Sequence, residues 1–268
     1  MISLRKQTPE VSVVVPYYNM GQYIDSLLES LDKQTYRDFE IILVNDGSNE
    51  SASLQKLEEV QDSRPEISII NQDNKGLPGA RNTGIKESKG KYICCIDPDD
   101  KYHPSYFEKA VDLLDNSKDL DIVSSWIKTF GDSESTIKLQ RDEFPAMLYE
   151  NNICVASMFR KKMWRKVQGY DEKMRAGYED WEFWINCLAH KARAITIEEP
   201  LFNYRITKDS MLNTLRKDPA KILDNLTYIY NKHRGLYAKY VVGVLQGKDK
   251  EIQHLSRINR ELQNMGDQ

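Results

Sequence analysis

The chain has 268 residues, 40% of them hydrophobic and 29% charged, with a formal net charge of −3. That length suits one large domain, or a domain with a helical appendage, with enough apolar residues for a proper core. The near-balanced charge gives no reason to expect nucleic-acid binding, and no run approaches the roughly 18 uninterrupted apolar residues of a membrane-spanning helix.

The segment from Met1 to Glu10 lacks the apolar region of a signal peptide. Val11-Ser12-Val13-Val14-Val15 is β-branched and stops at Pro16, which predicts a first strand buried on both faces. A loop, Pro16-Tyr17-Tyr18-Asn19-Met20-Gly21, follows. From Gln22 to Gln34, Ile24, Leu27, Leu28 and Leu31 recur at the spacing of an amphipathic helix. Phe39 to Val44 predicts a second strand. It ends in the turn residues Asn45-Asp46-Gly47-Ser48, which open a helix from Glu50 to Asp62 with Leu54, Leu57 and Val60 inward. Ile67 to Ile70 predicts a third strand, Asn71 to Gly79 a polar loop, and Ala80 to Ser88 a helix. Lys91 to Ile96 is a fourth strand that runs into Asp97-Pro98-Asp99-Asp100. Pro104 begins another helix with Phe107, Ala110, Val111 and Leu114 on one face, and Leu120 to Trp126 is a fifth strand.

Strand and helix thus alternate through the first half, which implies parallel strands joined by right-handed crossovers. In such sheets ligands bind at the carboxyl ends of the strands. Those ends carry Pro16 to Asn19, Asp46 to Ser48, the loop of Asn74-Lys75-Gly76, and the three acids at 97, 99 and 100. Acids gathered at one edge have two readings. They hold a divalent cation, which prefers carboxylate oxygens, or they sit at the positive end of the helix that begins at Pro104. Their company at a shared edge favours a functional site.

The pattern then changes. Gly131 to Gln140 is polar, a mobile loop or a short hairpin. Ile153 to Phe159 predicts a strand and Arg160 to Val167 a basic helix. Gly169-Tyr170-Asp171-Glu172 is a turn. Gly177-Tyr178-Glu179-Asp180 leads into a helix to His190 with Trp181, Trp184, Ile185 and Leu188 on one face, where the tryptophans read as core. Ala192 to Ile197 and Leu201 to Ile206 predict two short strands. From Asp218 the chain is helical. Its basic stretch with Tyr228, Tyr230, Tyr237 and Tyr240 suits either packing on the main domain or contact with an anionic membrane, packing being favoured. Leu255, Ile258, Leu262 and Met265 form a stub of apolar repeat suited to an oligomer contact. Cys94, Cys95, Cys154 and Cys187 show no paired spacing and sit among apolar residues, as in a reduced cytoplasmic protein.

Five of these segments, taken together, resemble the family 2 inverting nucleotide-sugar glycosyltransferases. They are Val15-Pro16-Tyr17-Tyr18-Asn19; Val44-Asn45-Asp46-Gly47-Ser48; Gly76 to Gly84 with Ala80-Arg81-Asn82; Ile96-Asp97-Pro98-Asp99-Asp100 with Pro104; and Gly169-Tyr170-Asp171-Glu172 followed by Tyr178-Glu179-Asp180-Trp181. The late Pro200-Leu201 and Tyr204-Arg205 also match. The resemblance runs from about Val11 to Met211.

It implies an α/β fold of the GT-A kind, with a Rossmann-like, mostly parallel central sheet flanked by helices. Residues 1–212 would form that domain, with a donor half at 11–126 and an acceptor half at 127–212. Residues 213–268 would be a helical extension. Pro16 and Tyr18 would frame the base and ribose of a nucleotide-sugar donor, and Asp46 would accept from a pyrimidine N–H, which makes a UDP-sugar the expected donor. Arg81 would lie under the base and diphosphate. The acidic stretch is similar to the family's DXD motif: Asp97 would touch the ribose or the water shell of the metal, and Asp99 would bind Mn²⁺ or Mg²⁺ directly. Asp100 would orient Asp99 or cap the next helix. Asp180 is similar to the catalytic base, with Glu179 as the fallback. Tyr204-Arg205 and the segment to Met211 would form a lid.

The Gln-x-x-Arg-Trp motif of processive synthases is absent, which argues for one sugar per event, and the resemblance implies a glycan or lipid-linked acceptor in bacterial surface-polysaccharide synthesis. Position 98 is Pro where a small polar residue is common, and Thr207-Lys208 stands where many relatives carry a histidine. Three other readings compete. A sugar nucleotidyltransferase or a dehydrogenase would want a Gly-rich loop after the first strand, where this chain has Pro16 to Asn19. A nucleotide-sugar-binding module without activity would have lost some of Asp46, Arg81, Asp99 and Asp180, all of which are present.

Overall fold

The structure is a computed structural model that describes residues 8–140, 142–208 and 210–266. Residues 1–7, most of the segment read above for a leader, lie outside it. Four parallel strands make the first half of the sheet in the order β3-β2-β1-β4: β1 (Val11–Tyr17), β2 (Phe39–Asp46), β3 (Ser68–Gln72) and β4 (Tyr92–Cys95). Between them run α1 (Gly21–Asp32), α2 (Ser51–Ser63) and α3 (Gly76–Glu87). Val11, Val13 and Val15 face one hydrophobic cluster and Val14 the other, so β1 is covered on both sides, as its unbroken β-branched run requires. Leu57 and Val60 of α2 are buried, but Leu54 is 38% exposed. The inward stripe of α2 is therefore narrower than its spacing implies.

α3 begins at Gly76, four residues earlier than expected, and takes Pro78 into its first turn, where a missing N–H costs nothing. After β4 comes β5 (Lys101–Tyr102), too short to leave a periodic signal, and then α4 (Tyr106–Asn116). The acids at 97–100 therefore do not cap α4, because β5 and the turn at His103–Ser105 intervene.

The second half of the sheet is mixed. β6 (Ile122–Gly131) makes a hairpin with β7 (Thr136–Ile137) and pairs antiparallel with β8 (Met158–Arg160), which joins it to β4. The two strands expected at 192–206 are one, β9 (Ala194–Ile206), parallel to β6. The break read at Pro200 is a register shift opposite Trp126, where a proline's lost N–H is tolerated. β5 pairs antiparallel with β9, which carries the end of the second half to the acidic turn.

α5 (Lys161–Val167) and α6 (Glu179–Ala189) cover one face, and a short 3-10 turn (Ala146–Leu148) lies beneath them. The C-terminal helices are α7 (Met211–Arg216), α8 (Pro219–Lys232) and α9 (Arg234–Gly266). Asp218 caps α8 by accepting from the Lys221 N–H, with Pro219 in the first turn. Ile229, Tyr228, Tyr237 and Tyr240 pack into the cluster that holds Trp184 and Phe183, so three of the four tyrosines pack on the main domain, while Tyr230 is exposed. α9 runs on past that contact. Leu255 and Ile258 stand exposed on it, while the side chains of Leu262 and Met265 lie outside those described.

Candidate functional site

The carboxyl ends of β1, β2 and β4 meet at one edge, as the alternation implies. Pro16 is buried in β1 opposite Val44, and Tyr18, just beyond the strand, is 46% exposed. Asn19 clasps this end to the start of α2: its Oδ1 accepts from the backbone N–H groups of Asn49 and Glu50, and its own N–H donates to Ser48 Oγ. Asn19 supports this in the left-handed conformation (φ 53°), which asparagine tolerates.

Asp46 is 3% exposed and already engaged. Its Oδ1 accepts from Gln72 Nε2 at 2.6 Å and from the Lys75 N–H at 2.8 Å, and its Oδ2 accepts from the Gly76 N–H at 2.8 Å. Three of about four lone-pair sites are filled by the chain itself. Asp46 thus holds the loop before α3 with three of its acceptor sites.

Asp97 to Asp100 form a tight turn closed by the Asp100 N–H on the Asp97 carbonyl at 3.1 Å, with Pro98 at the position where its fixed φ fits. β9 pins this turn: the Arg205 N–H donates to Asp100 Oδ1 at 2.8 Å, and Arg205 Nε donates to the Asp99 carbonyl at 3.0 Å. The guanidinium also lies over the rings of Phe130 and Tyr23, at 4.5 and 5.0 Å. Asp100 is 1% exposed and its Oδ2 has no partner. Burial, then Asp99 and Asp97, push its carboxyl far above the usual range. Burial and the neighbouring Asp97 push Asp99 up to about 6. Among the described residues, no three His, Cys, Asp or Glu side chains stand close enough to form a ready-made metal cage.

Arg81, expected under the base and diphosphate, is wholly buried on α3. Its Nη1 donates to Glu179 Oε1 at 2.7 Å, its Nη2 donates to Asp97 Oδ1 at 3.0 Å, and its guanidinium lies 5.6 Å from the centre of the Tyr170 ring. Burial alone would favour the neutral form, but the two carboxylates outweigh it and the group stays charged. Arg81 is thus a strut between the acidic turn and the start of α6.

Glu179 and Asp180 open α6 just after Tyr178, itself left-handed (φ 63°), and Gly177 (φ 111°). Burial raises both carboxyls, with Arg81 opposing. Glu179 is spent on Arg81, whereas Asp180 is partly exposed and takes a bond from Asn151 Nδ2 at 2.9 Å. Tyr204, on β9, feels the charges of Asp100, Asp97, Asp99 and Asp180 alike, so the acids of the two halves share one neighbourhood.

Two contributors escaped the sequence. Asn151 lies in irregular chain after the 3-10 turn, and its only signal is the turn-forming pair Asn151-Asn152. The C-terminal helices are the other. Lys232 donates to Asp171 at 2.6 Å and pairs with the buried Glu182 at 2.9 Å, and His233 Nε2 lies 2.7 Å from the same Glu182 oxygen. The residue types offered no pairing rule across some fifty positions.

Residues 12–180 match the family model described as glycosyl transferase family 2. The chain therefore belongs to that family. An uncharacterized glycosyltransferase of Methanocaldococcus jannaschii is 31% identical over 78% of this chain and 75% of its own length. One from Haemophilus influenzae is 31% identical over 96% of this chain and 84% of its own. Among solved structures, a Staphylococcus aureus TarS fragment in complex with UDP-GlcNAc superposes with a TM-score of 0.65 at 20% identity, covering 76% of this chain and 61% of that one. A Pyrobaculum calidifontis mannosyltransferase in complex with GDP-Man and Mn²⁺ gives a TM-score of 0.58 at 18% identity, over 77% of this chain and 59% of that one. At such identities the structures establish the shared GT-A-like fold alone.

Proposed function

We propose that the protein transfers one sugar from a nucleoside diphosphate sugar, by preference UDP-linked, to an acceptor hydroxyl with inversion at the anomeric carbon, assisted by a divalent cation. The observation that carries this reading is the Arg81 strut, which ties Asp97 of the donor half to Glu179, next to Asp180, of the acceptor half. An enzyme that joins two substrates needs such a fixed relation between their sites. The UDP-GlcNAc and GDP-Man carried by the two structural neighbours support a nucleoside diphosphate donor.

Tyr18 offers an exposed ring for the base, beside the remaining acceptor site of Asp46. Asp99 would hold Mn²⁺ or Mg²⁺. The fit is chemical: burial first and then the Asp97 charge push the Asp99 carboxyl up to about 6, with Arg205 opposing, and a hard divalent cation prefers such carboxylate oxygens. When bound, the cation supplies positive charge to the departing diphosphate. Arg205, fixed over the turn, offers a second positive charge there. Asp180 takes the proton of the acceptor hydroxyl as its oxygen attacks, since Glu179 is committed to Arg81. No covalent sugar–enzyme intermediate is involved. Tyr204 and Arg205, expected in a lid, are paired with Thr129 and Phe130 of β6, so they border the donor site as part of the sheet. Residues 1–212 act as the catalytic domain and 213–268 as its helical extension. The protein works in the cytoplasm on a glycan or lipid-linked acceptor of bacterial surface-polysaccharide synthesis. No helix among the described residues is long and apolar enough to cross a membrane.

The test is thermal unfolding with UDP and GDP, each with and without Mn²⁺, followed by a mass-spectrometric screen of UDP- and GDP-sugars for nucleoside diphosphate release. A metal-dependent rise in Tm with UDP is expected. No shift with either nucleotide would sink the transferase reading in favour of a module without activity.

A further inference from the structure

A side chain from outside α6 reaches Asp180: Asn151 Nδ2 donates to Asp180 Oδ2 at 2.9 Å. A carboxylate only accepts, so the amide must turn its NH2 toward Asp180. That leaves Asn151 Oδ1 on the far side, where it is buried and has no partner. A stranded amide oxygen carries an unrecovered desolvation penalty, and packing gives no reason to bear it, because a small apolar residue would fill the place without one.

The segment that carries Asn151 is anchored at both ends. Trp181 Nε1, adjacent to Asp180, donates to the Met147 carbonyl at 2.8 Å, and the Cys154 N–H donates to Ser124 Oγ of β6 at 3.0 Å. The Asn152 N–H contacts Met147 Sδ at 3.3 Å. Asn151 is therefore held between α6 and the sheet in a loop with little freedom to turn away.

We propose that Asn151 is the positioning residue of Asp180, fixing the direction of its carboxylate through Oδ2 and leaving Oδ1 to receive the acceptor's proton. This rests on the reading of Asp180 as base. In the step, the acceptor oxygen forms its bond to the anomeric carbon. The bond from that carbon to the diphosphate oxygen breaks and its electron pair leaves with the diphosphate. The hydroxyl proton goes to Asp180 Oδ1. Without Asn151 the carboxylate keeps the backbone N–H groups at the start of α6 but loses the side-chain bond that fixes Oδ2.

Asp180 is also faced by Glu179 of its own helix, by Arg81 of α3, by Tyr170, by Tyr204 of β9 and by Cys154. The Asn151 bond favours the ionised form of Asp180, together with Arg81 and the backbone N–H groups at the start of α6. Its removal must therefore move the Asp180 titration upward. An asparagine that only packs, without making that bond, predicts no such movement.

The experiment is carbon-13 NMR of aspartate-labelled full-length protein, with the Asp180 carboxyl identified by its loss in Asp180→Asn. In Asn151→Ala the Asp180 midpoint rises by roughly half a pH unit or more. In Asn151→Asp, where a second carboxylate faces the first, it rises further. In Asn151→Ser, whose hydroxyl still donates, it rises least. A midpoint in Asn151→Ala equal to or below that of the unmodified protein overturns the proposal. Should Asn151→Ala fail to fold, the ordering of Asn151→Ser below Asn151→Asp decides, and the reverse order overturns it.

Nucleoside diphosphate release with Mn²⁺ from UDP-N-acetylglucosamine, UDP-glucose and GDP-mannose gives the kinetic arm. For the donor turned over, Asn151→Ala lowers kcat about 10- to 100-fold while the donor KM stays within about twofold. If Asp180→Asn keeps full turnover, the base assignment falls and the positioning role with it. If Asp180→Asn is inactive while Asn151→Ala keeps both the midpoint and kcat, the positioning role alone falls.

Discussion

Arg81 and Glu179 lie 98 positions apart in the chain and 2.7 Å apart in the fold, both buried, with Asp97 on the other arm of the same guanidinium. The pair welds the first half of the chain to the second. Removing one member of a buried ion pair costs far more than the pair contributes, because the other charge stays behind unpaired.

Arg81→Ala is therefore expected to destabilise the protein by about 3–5 kcal/mol, a fall in Tm of roughly 10 °C for a chain of this size. Arg81→Lys keeps the charge but lacks the fork that reaches both acids, and should fall between the two. Thermal unfolding by circular dichroism gives both values, and a fall of only a degree or two in Arg81→Ala would contradict the strut.

The two halves of the site separate by mutation. Asp180→Asn should lower transfer by three orders of magnitude or so, with metal-dependent UDP binding near normal. Asp99→Asn should weaken that binding by tenfold or more. Calorimetric titration of UDP with Mn²⁺ checks the split, and equal loss of nucleotide binding in the two variants would contradict it.

Asp99 also sets a pH dependence. Its folded pKa, about 6, lies above the ordinary carboxylate value of 3.8. Between those values the folded state holds more protons than the unfolded one, so stability from this group falls as pH rises through the window. In metal-free protein, Asp99→Asn should raise Tm at pH 7, and the gain should shrink as pH falls from 6 to 4. Tm measured against pH in a chelator tests this, and a gain that grows toward pH 4 would have the wrong sign.

The C-terminal helices predict a graded truncation. Ending the chain after Gly247 keeps Ile229, Tyr237 and Tyr240 on the core and should leave Tm within about 3 °C, since surface residues outside packed contacts contribute little. Ending it before Pro219 bares the cluster around Phe183 and Trp184 and strips Lys232 and His233 from the buried Glu182. That protein should aggregate on expression, and a soluble, fully active product would contradict the packing described.

The sequence carried the local physics well. The β-branched runs at Val11 and Phe39, the stripe of Ile24, Leu27, Leu28 and Leu31, and the turn residues at each strand end all reported directly on burial and topology. It therefore brought Pro16, Asp46 and the Asp97 turn to one edge before any coordinates. It did not say what else those groups hold. Asp46 spends most of its acceptors on Gln72, Lys75 and Gly76, and Arg81 spends its guanidinium on Glu179 and Asp97, because nothing in a residue type says which neighbour will claim it. Lys101-Tyr102 escaped as a strand because two residues cannot show a period, yet that strand brings Arg205 to Asp99 and Asp100. Asn151 had no pattern at all.

The bonds made by Lys232 and His233 have a consequence for how such chains diversify. They fall on Asp171 and Glu182, which bracket Asp180 on both sides. The tail is thus a splint on the segment that carries Asp180, and it is built from residues far beyond 12–180, the span the family shares. A tail exchanged between relatives would bring its own splint or leave Glu182 as a bare buried charge. Grafting a foreign extension onto the first 210 residues should therefore succeed only where the newcomer places a cation over Glu182.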